Sequence, residues 1–158
     1  MTEFARILAD LNEAEVAYVV IGGLAVISHG VVRATRDVDA IVAQDEANLE
    51  RVSSLVDGWG ATRPDGSPLP AGWIRPGRVI SLSTPHGGVD LLPDRGPDLD
   101  FESLERRSSV RRFDGEPANV VSLADLVALK RIAGRPAGEL DLTRLREAHG
   151  ELPQLRRR

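Results

Sequence analysis

Phe4, Ile7, Leu8 and Leu11 recur at i, i+3, i+4 and i+7, which predicts an amphipathic helix, and Thr2 supplies a side-chain oxygen for its N-cap. Residues 17–21, Ala-Tyr-Val-Val-Ile, form a short apolar run rich in strand formers, the pattern of a buried strand. Gly22-Gly23 ends that run, and residues 24–28 follow as a short helix that Gly30 terminates. Residues 38–42 read as a second strand. Residues 46–56 read as a helix with Leu49, Val52, Leu55 and Val56 on one side. Between 58 and 77 the prolines and glycines break any period, so a long loop is expected there, flanked by Trp59 and Trp73. Residues 78–83 and 89–92 read as a hairpin turning at Pro85-His86-Gly87-Gly88. A helix over 101–107 and an extended piece at 119–121 come next. Ser122, with Asp125 three residues on, starts a helix carrying Leu123, Leu126, Val127 and Lys130 on one face. Gly134 and Pro136 end it, and 139–149 makes a last helix with Leu142 and Leu145 inward. This order predicts an α+β (α/β) fold, a small mixed sheet flanked by helices and followed by C-terminal helices. One domain over 1–158 is expected, with a core at about 16–93 and a helical part at about 122–149.

Composition narrows the classes. The 158 residues suit one domain with a real core, and 42% hydrophobic with 28% charged residues is ordinary for a globular protein. The absence of cysteine excludes a disulfide framework, thiol catalysis and cysteine-ligated zinc. A net charge of -4 argues against a general nucleic-acid coat. Arg106, Arg107, Arg111 and Arg112 nevertheless cluster, and Arg156, Arg157 and Arg158 end the sequence; the first cluster is a candidate RNA contact or a solvated face. No apolar run approaches the ~20 residues of a membrane span, and the start of the sequence is unlike a secretory signal, so a cytoplasmic location without membrane contact is expected.

The chemistry concentrates at Asp37-Val38-Asp39. On a strand the two aspartates point to one side and Val38, Ala40 and Val42 to the other. Two like charges held side by side oppose ionisation unless a cation separates them. Mg²⁺ takes one or two carboxylates together with substrate phosphates, which makes the pair a candidate for metal-dependent phosphate chemistry. Asp90 interrupts an apolar strand between Val89 and Leu91, where an aspartate is tolerated if it faces a site; the alternative is a cap on the Gly87-Gly88 turn. Gly22-Gly23 before a helix is either a phosphate-approaching turn or an ordinary strand-to-helix turn. Lys130, on an apolar helix face, either snorkels from the core edge or places its ammonium on a phosphate. Arg135 and Asp141 are further polar candidates.

These residues carry a resemblance. From Ile21 to Ile41 the order of apolar strand, Gly22-Gly23, spacer and Asp37-Val38-Asp39 resembles the signature of the polymerase-β-type nucleotidyltransferase superfamily, and Asp90 falls where that superfamily supplies a third carboxylate. The stretch from Ser122 through Lys130, Gly134-Arg135-Pro136 and Asp141-Leu142 resembles AbiEii-like small nucleotidyltransferases, among them toxins of type IV toxin–antitoxin systems. It departs from them at Ala137-Gly138, where such proteins often carry Lys-Asp. The resemblance implies a nucleotidyltransferase-like fold and an enzyme moving a nucleoside monophosphate from a nucleoside triphosphate to a hydroxyl. It implies Mg²⁺ (or Mn²⁺) on Asp37, Asp39 and Asp90, and catalysis by these three with Lys130. It implies nucleotide binding by Gly22, Gly23, Arg36, Lys130 and Asp141. The acceptor stays open between tRNA for a toxin-like enzyme, a small antibiotic as in lincosamide-type enzymes, and a partner toxin as for MNT-type antitoxins. A domain that only binds nucleotide or a partner protein is the non-enzymatic alternative.

Overall fold

The computed structural model describes residues 1–154, so the arginines at 156–158 lie outside the described residues. Among the described residues there are six helices and six strands. They are α1 (Glu3–Glu13), β1 (Tyr18–Ile21), α2 (Gly22–Ser28), β2 (Val38–Val42), α3 (Glu46–Trp59), β3 (Ile80–Thr84), β4 (Gly87–Leu92), α4 (Phe101–Arg107), β5 (Ser109–Phe113), β6 (Glu116–Val120), α5 (Leu123–Ala133) and α6 (Pro136–His149). The strands make one mixed sheet in the order β3-β4-β2-β1-β6-β5. β1 runs antiparallel to β2 and parallel to β6, while β2 runs parallel to β4. The two outer pairs, β3–β4 and β5–β6, are antiparallel hairpins. The fold class expected from the pattern is the one observed.

Local chemistry explains most element ends. Thr2, Asp45, Asp100 and Ser122 each cap a helix by accepting a backbone N–H three residues on. Gly60 and Gly134 end α3 and α5 in the left-handed conformation, and Pro136 opens α6 at a position that needs no N–H. β1 is buried on both faces, as its unbroken apolar run requires. Val38, Ala40, Ile41 and Val42 belong to one buried core cluster with helix residues such as Ile7, Leu24 and Leu126. Among the described residues no helix is long and apolar enough to cross a membrane.

Several boundaries differ from the sequence pattern. Gly22 and Gly23 form the first turn of α2 rather than a turn before it, and Gly87 and Gly88 belong to β4, leaving Pro85-His86 as the turn. β5 is unheralded because its Ser-Val-Arg-Arg stretch is exposed at the sheet edge, where polar side chains discourage edge pairing and no apolar alternation is needed. With β6 beside β1, the sheet continues well past residue 93. Asp125 does not complete a capping box. Its carboxylate is fully buried and accepts from Arg107 at 2.9 and 3.1 Å, tying α4 to α5. Arg107 is thus tied to Asp125.

Asn48 on α3 holds the sheet entry together. Its Oδ1 accepts from Ala17 N at 2.7 Å, and its Nδ2 donates to Ala17 O at 3.1 Å and Ala43 O at 2.8 Å. Asn48→Ala leaves these part-buried backbone groups unmatched, and a loss of about 2–4 kcal/mol in urea denaturation is expected.

Candidate active site

β2 and β4 lie in register so that Asp39 faces Asp90, and β3 places Ser81 opposite Asp90 and Ser83 opposite Gly88. With the period-two alternation of strands, this sets up two rows across β3, β4 and the β2 segment: Ser81–Asp90–Asp39, and Ser83–Gly88–Asp37. Glycine at 88 is a spatial requirement. A Cβ there would stand 2.4 Å from Asp37 Oδ1, so the bare backbone leaves room for that carboxylate. Gly22 does the same for Asp39: a Cβ would come within 2.1 Å of Asp39 Oδ2, and its φ of +65° is in the left-handed region. The three carboxylates predicted from the sequence therefore meet at one end of the sheet, beside the first turn of α2.

Their mutual repulsion is visible at Asp39. Its carboxyl is pushed up to about 7, first by burial, then by its hydrogen bond to Asp90 and the charges of Asp90 and Asp37. The Lys130 ammonium opposes that rise, which places its positive charge within electrostatic reach of Asp39. Among the described residues no three His, Asp or Glu side chains converge as a ready-made metal cage. The arrangement suits an ion that takes one or two carboxylates and fills its remaining positions with phosphate oxygens and water. Every candidate donor is a hard carboxylate oxygen, the preference of Mg²⁺ rather than of a soft metal.

Lys130 leaves the apolar face of α5 to pair with Asp141 Oδ2 at 2.9 Å. Asp141 also accepts from Arg33 Nη1 at 2.8 and 2.7 Å, so its carboxylate is committed to these two cations. Arg36 is exposed next to Asp37, and Arg135 is exposed at the start of α6, away from any ion pair among the described residues. Arg33, Thr35, Ser81 and Ser83 were not singled out from the sequence. The signal was present as period-two alternation of polar side chains, Arg33-x-Thr35-x-Asp37-x-Asp39, in an extended stretch. Thr35 Oγ1 donates to Asp37 O at 3.3 Å and crowds Gly23, whose Cβ would stand 2.7 Å from it.

Beside the carboxylates lies a cleft of about 280 Å³ lined by Asp37, Asp90, Ser81, Ser83, Gly88 and Pro64. Pro64 comes from the irregular segment after α3, whose Leu69, Trp73 and Ile74 pack on the core. A second cavity of about 290 Å³, near Tyr18 and Asn119, sits at the opposite end of β1 from these carboxylates.

No protein-family model matches the sequence, and no curated protein matches it. Solved structures do match in fold. LnuA, a lincosamide antibiotic adenylyltransferase in a lincomycin-bound structure, aligns with a TM-score of 0.63 at 16% identity, covering 92% of this chain and 96% of that one. TM1012 from Thermotoga maritima, which carries a provisional nucleotidyltransferase name, aligns at 0.61 and 18% identity over 90% and 93%. ANT(2'')-Ia in complex with adenylyl-2''-tobramycin aligns at 0.58 and 15% identity over 93% and 87%. The chain has the nucleotidyltransferase-like fold.

Proposed function

We propose that this protein is a Mg²⁺-dependent nucleotidyltransferase that moves a nucleoside monophosphate from a nucleoside triphosphate to a hydroxyl acceptor. The carrying observation is that Asp39 and Asp90 pair on adjacent strands with Asp37 just before β2 against Gly88, where burial and like charge make Asp39 hold a proton near neutrality unless a cation replaces it. Asp37, Asp39 and Asp90 would hold the metal, which supplies neutralisation of the phosphoryl charge. Gly22 and Gly23 present bare backbone to the phosphates, and Lys130 adds a point charge. The acceptor oxygen bonds to the α-phosphorus and its proton passes to Asp90. The bond from the α-phosphorus to the bridging oxygen breaks, and pyrophosphate leaves. The protein's part is positioning and charge stabilisation.

The cleft supports a small acceptor. Two carboxylates and two serine hydroxyls line it, and none of its lining residues is cationic. Such a surface suits a small hydroxylated molecule that carries amines and repels RNA phosphates. LnuA and ANT(2'')-Ia, whose structures hold lincomycin and adenylyl-2''-tobramycin, support a small acceptor in this fold.

The test is label transfer from each of four α-³²P nucleoside triphosphates to a panel of aminoglycosides, lincosamides, total tRNA and cell protein, with Mg²⁺. Label on a hydroxylated amine is expected, and Asp37→Ala is expected to lower the rate at least about 1,000-fold with an unchanged circular dichroism spectrum. Label on tRNA or on a partner protein would reassign the acceptor to a toxin-like or MNT-like role. An Asp37→Ala protein as active as wild type would remove the mechanism.

A further inference from the structure

Asp141 is only 2% exposed, and it sits between two cations. Arg33 Nη1 donates to both of its oxygens, and Lys130 Nζ lies 2.9 Å from Oδ2. One buried anion with two cations leaves a surplus positive charge where Arg33 meets the first turn of α2. Arg33 is also located at the proposed phosphate side. Its guanidinium carbon lies 3.6 Å from the point a Cβ on Gly23 would occupy, so it packs against the first turn of α2. Its Nε donates to Ala34 O at 3.3 Å, which holds the fork in place on the segment leading into Asp37.

Without Arg33, Lys130 and Asp141 would form a neutral, half-buried ion pair. Such a lysine has a full-strength partner already and offers little to a phosphate. With Arg33 in place, Asp141 is neutralised by the guanidinium, whose planar fork suits a carboxylate better than a second lysine would.

We infer that Arg33 is a positioning residue for the triphosphate: by neutralising Asp141 it frees the ammonium of Lys130 to act as a phosphate-binding charge. The inference rests on the nucleotidyl-transfer reading above. It separates three roles that single substitutions would confuse. A structural Arg33 would affect the melting temperature and leave the nucleotide KM of the folded protein unchanged. A direct phosphate contact by Arg33 would raise KM irreversibly. Charge balance raises KM in a way that removing Asp141's charge reverses.

The experiment measures KM for the Mg²⁺–nucleoside triphosphate by pyrophosphate release, with Kd by calorimetry, in four proteins. Arg33→Gln is expected to raise KM roughly 10- to 100-fold. Arg33→Lys restores part of that loss. The double variant Arg33→Gln/Asp141→Asn removes cation and anion together, and its KM is expected to return to within about fivefold of wild type. Adding Lys130→Met to the double variant is expected to raise KM again. If Arg33→Gln is poorly folded, the double variant, which contains no unpaired buried anion, carries the test. A folded double variant that binds as weakly as Arg33→Gln, or an Arg33→Gln protein with wild-type KM, overturns the inference alone. A wild-type protein that neither binds nor turns over any Mg²⁺–nucleotide overturns the nucleotidyl-transfer reading and this inference with it.

Discussion

Asp39→Asn is expected to abolish nucleotide transfer while making the metal-free protein more stable. The two effects have one cause. Asp39 is placed beside Asp90 and near Asp37, partly out of water, and its carboxyl is pushed up to about 7 from an ordinary value of 3.8. The sign follows from linkage. Between these values the folded protein holds a proton that the unfolded chain has released, so folding stability falls as pH rises through that window. Above pH 7 the folded protein carries the unfavourable carboxylate. The full shift corresponds to about 4 kcal/mol. Partial solvation and sharing of the proton with Asp90 reduce the recoverable part to roughly 1–2 kcal/mol. Asparagine keeps the shape without the charge. At pH 8 in chelator its Tm should exceed wild type by roughly 3–8 °C, and the difference should vanish near pH 4. Scanning calorimetry at the two pH values checks this. A destabilised Asp39→Asn protein at pH 8 would mean that Asp39 is held by favourable contacts rather than strained by like charge.

Gly22→Ala is the substitution with the next largest expected effect. The new methyl would stand 2.1 Å from Asp39 Oδ2 and 2.8 Å from its Cβ and Cγ, on a backbone with φ of +65°. Asp39 cannot yield easily, because it is anchored in β2 between Asp90 on one side and Ile21 on the other. Left-handed strain together with the clash should cost about 2–4 kcal/mol, and displacement of the carboxylate should lower transfer by roughly 100-fold or more. Gly58→Ala is the matched control. Gly58 lies in α3 with nothing within 4 Å of its would-be Cβ, so alanine there should be neutral or stabilising by about 0.5 kcal/mol. Urea titration and initial rates on the two variants separate crowding at the site from a general effect of glycine replacement.

The sequence was most legible where one physical rule acts at a time. The i, i+3, i+4, i+7 spacing of Phe4, Ile7, Leu8 and Leu11 recovers α1, and residues 101–107 coincide with α4. Asp37, Asp39 and Asp90 were each visible as a charge in a strand context that disfavours charge, and the fold brings them together. What stayed hidden depends on pairing. Ser81 and Ser83 gain meaning only from the β3–β4 register that sets them opposite Asp90 and Gly88. Arg33 looked like spacer because its partner Asp141 is 108 residues away on α6. Asp125 looked like a capping-box acid, whereas burial and Arg107 decide its role. Gly88 resembled a turn residue, but the reason for it is the carboxylate of Asp37 on the segment just before β2.

The donor side of the reaction can be tested without knowing the acceptor. Thermal unfolding of wild type and Asp37→Ala, with each nucleoside triphosphate at about 100 times its Kd and with Mg²⁺ or chelator, addresses it directly. Binding at that ratio adds about 2.7 kcal/mol, a Tm rise of roughly 5–10 °C for a protein of this size. The carboxylate site predicts that rise for wild type with Mg²⁺, and its loss both in chelator and in Asp37→Ala. A nucleotide-induced rise that persists in chelator, or that survives intact in Asp37→Ala, would contradict a metal–nucleotide centre on Asp37, Asp39 and Asp90.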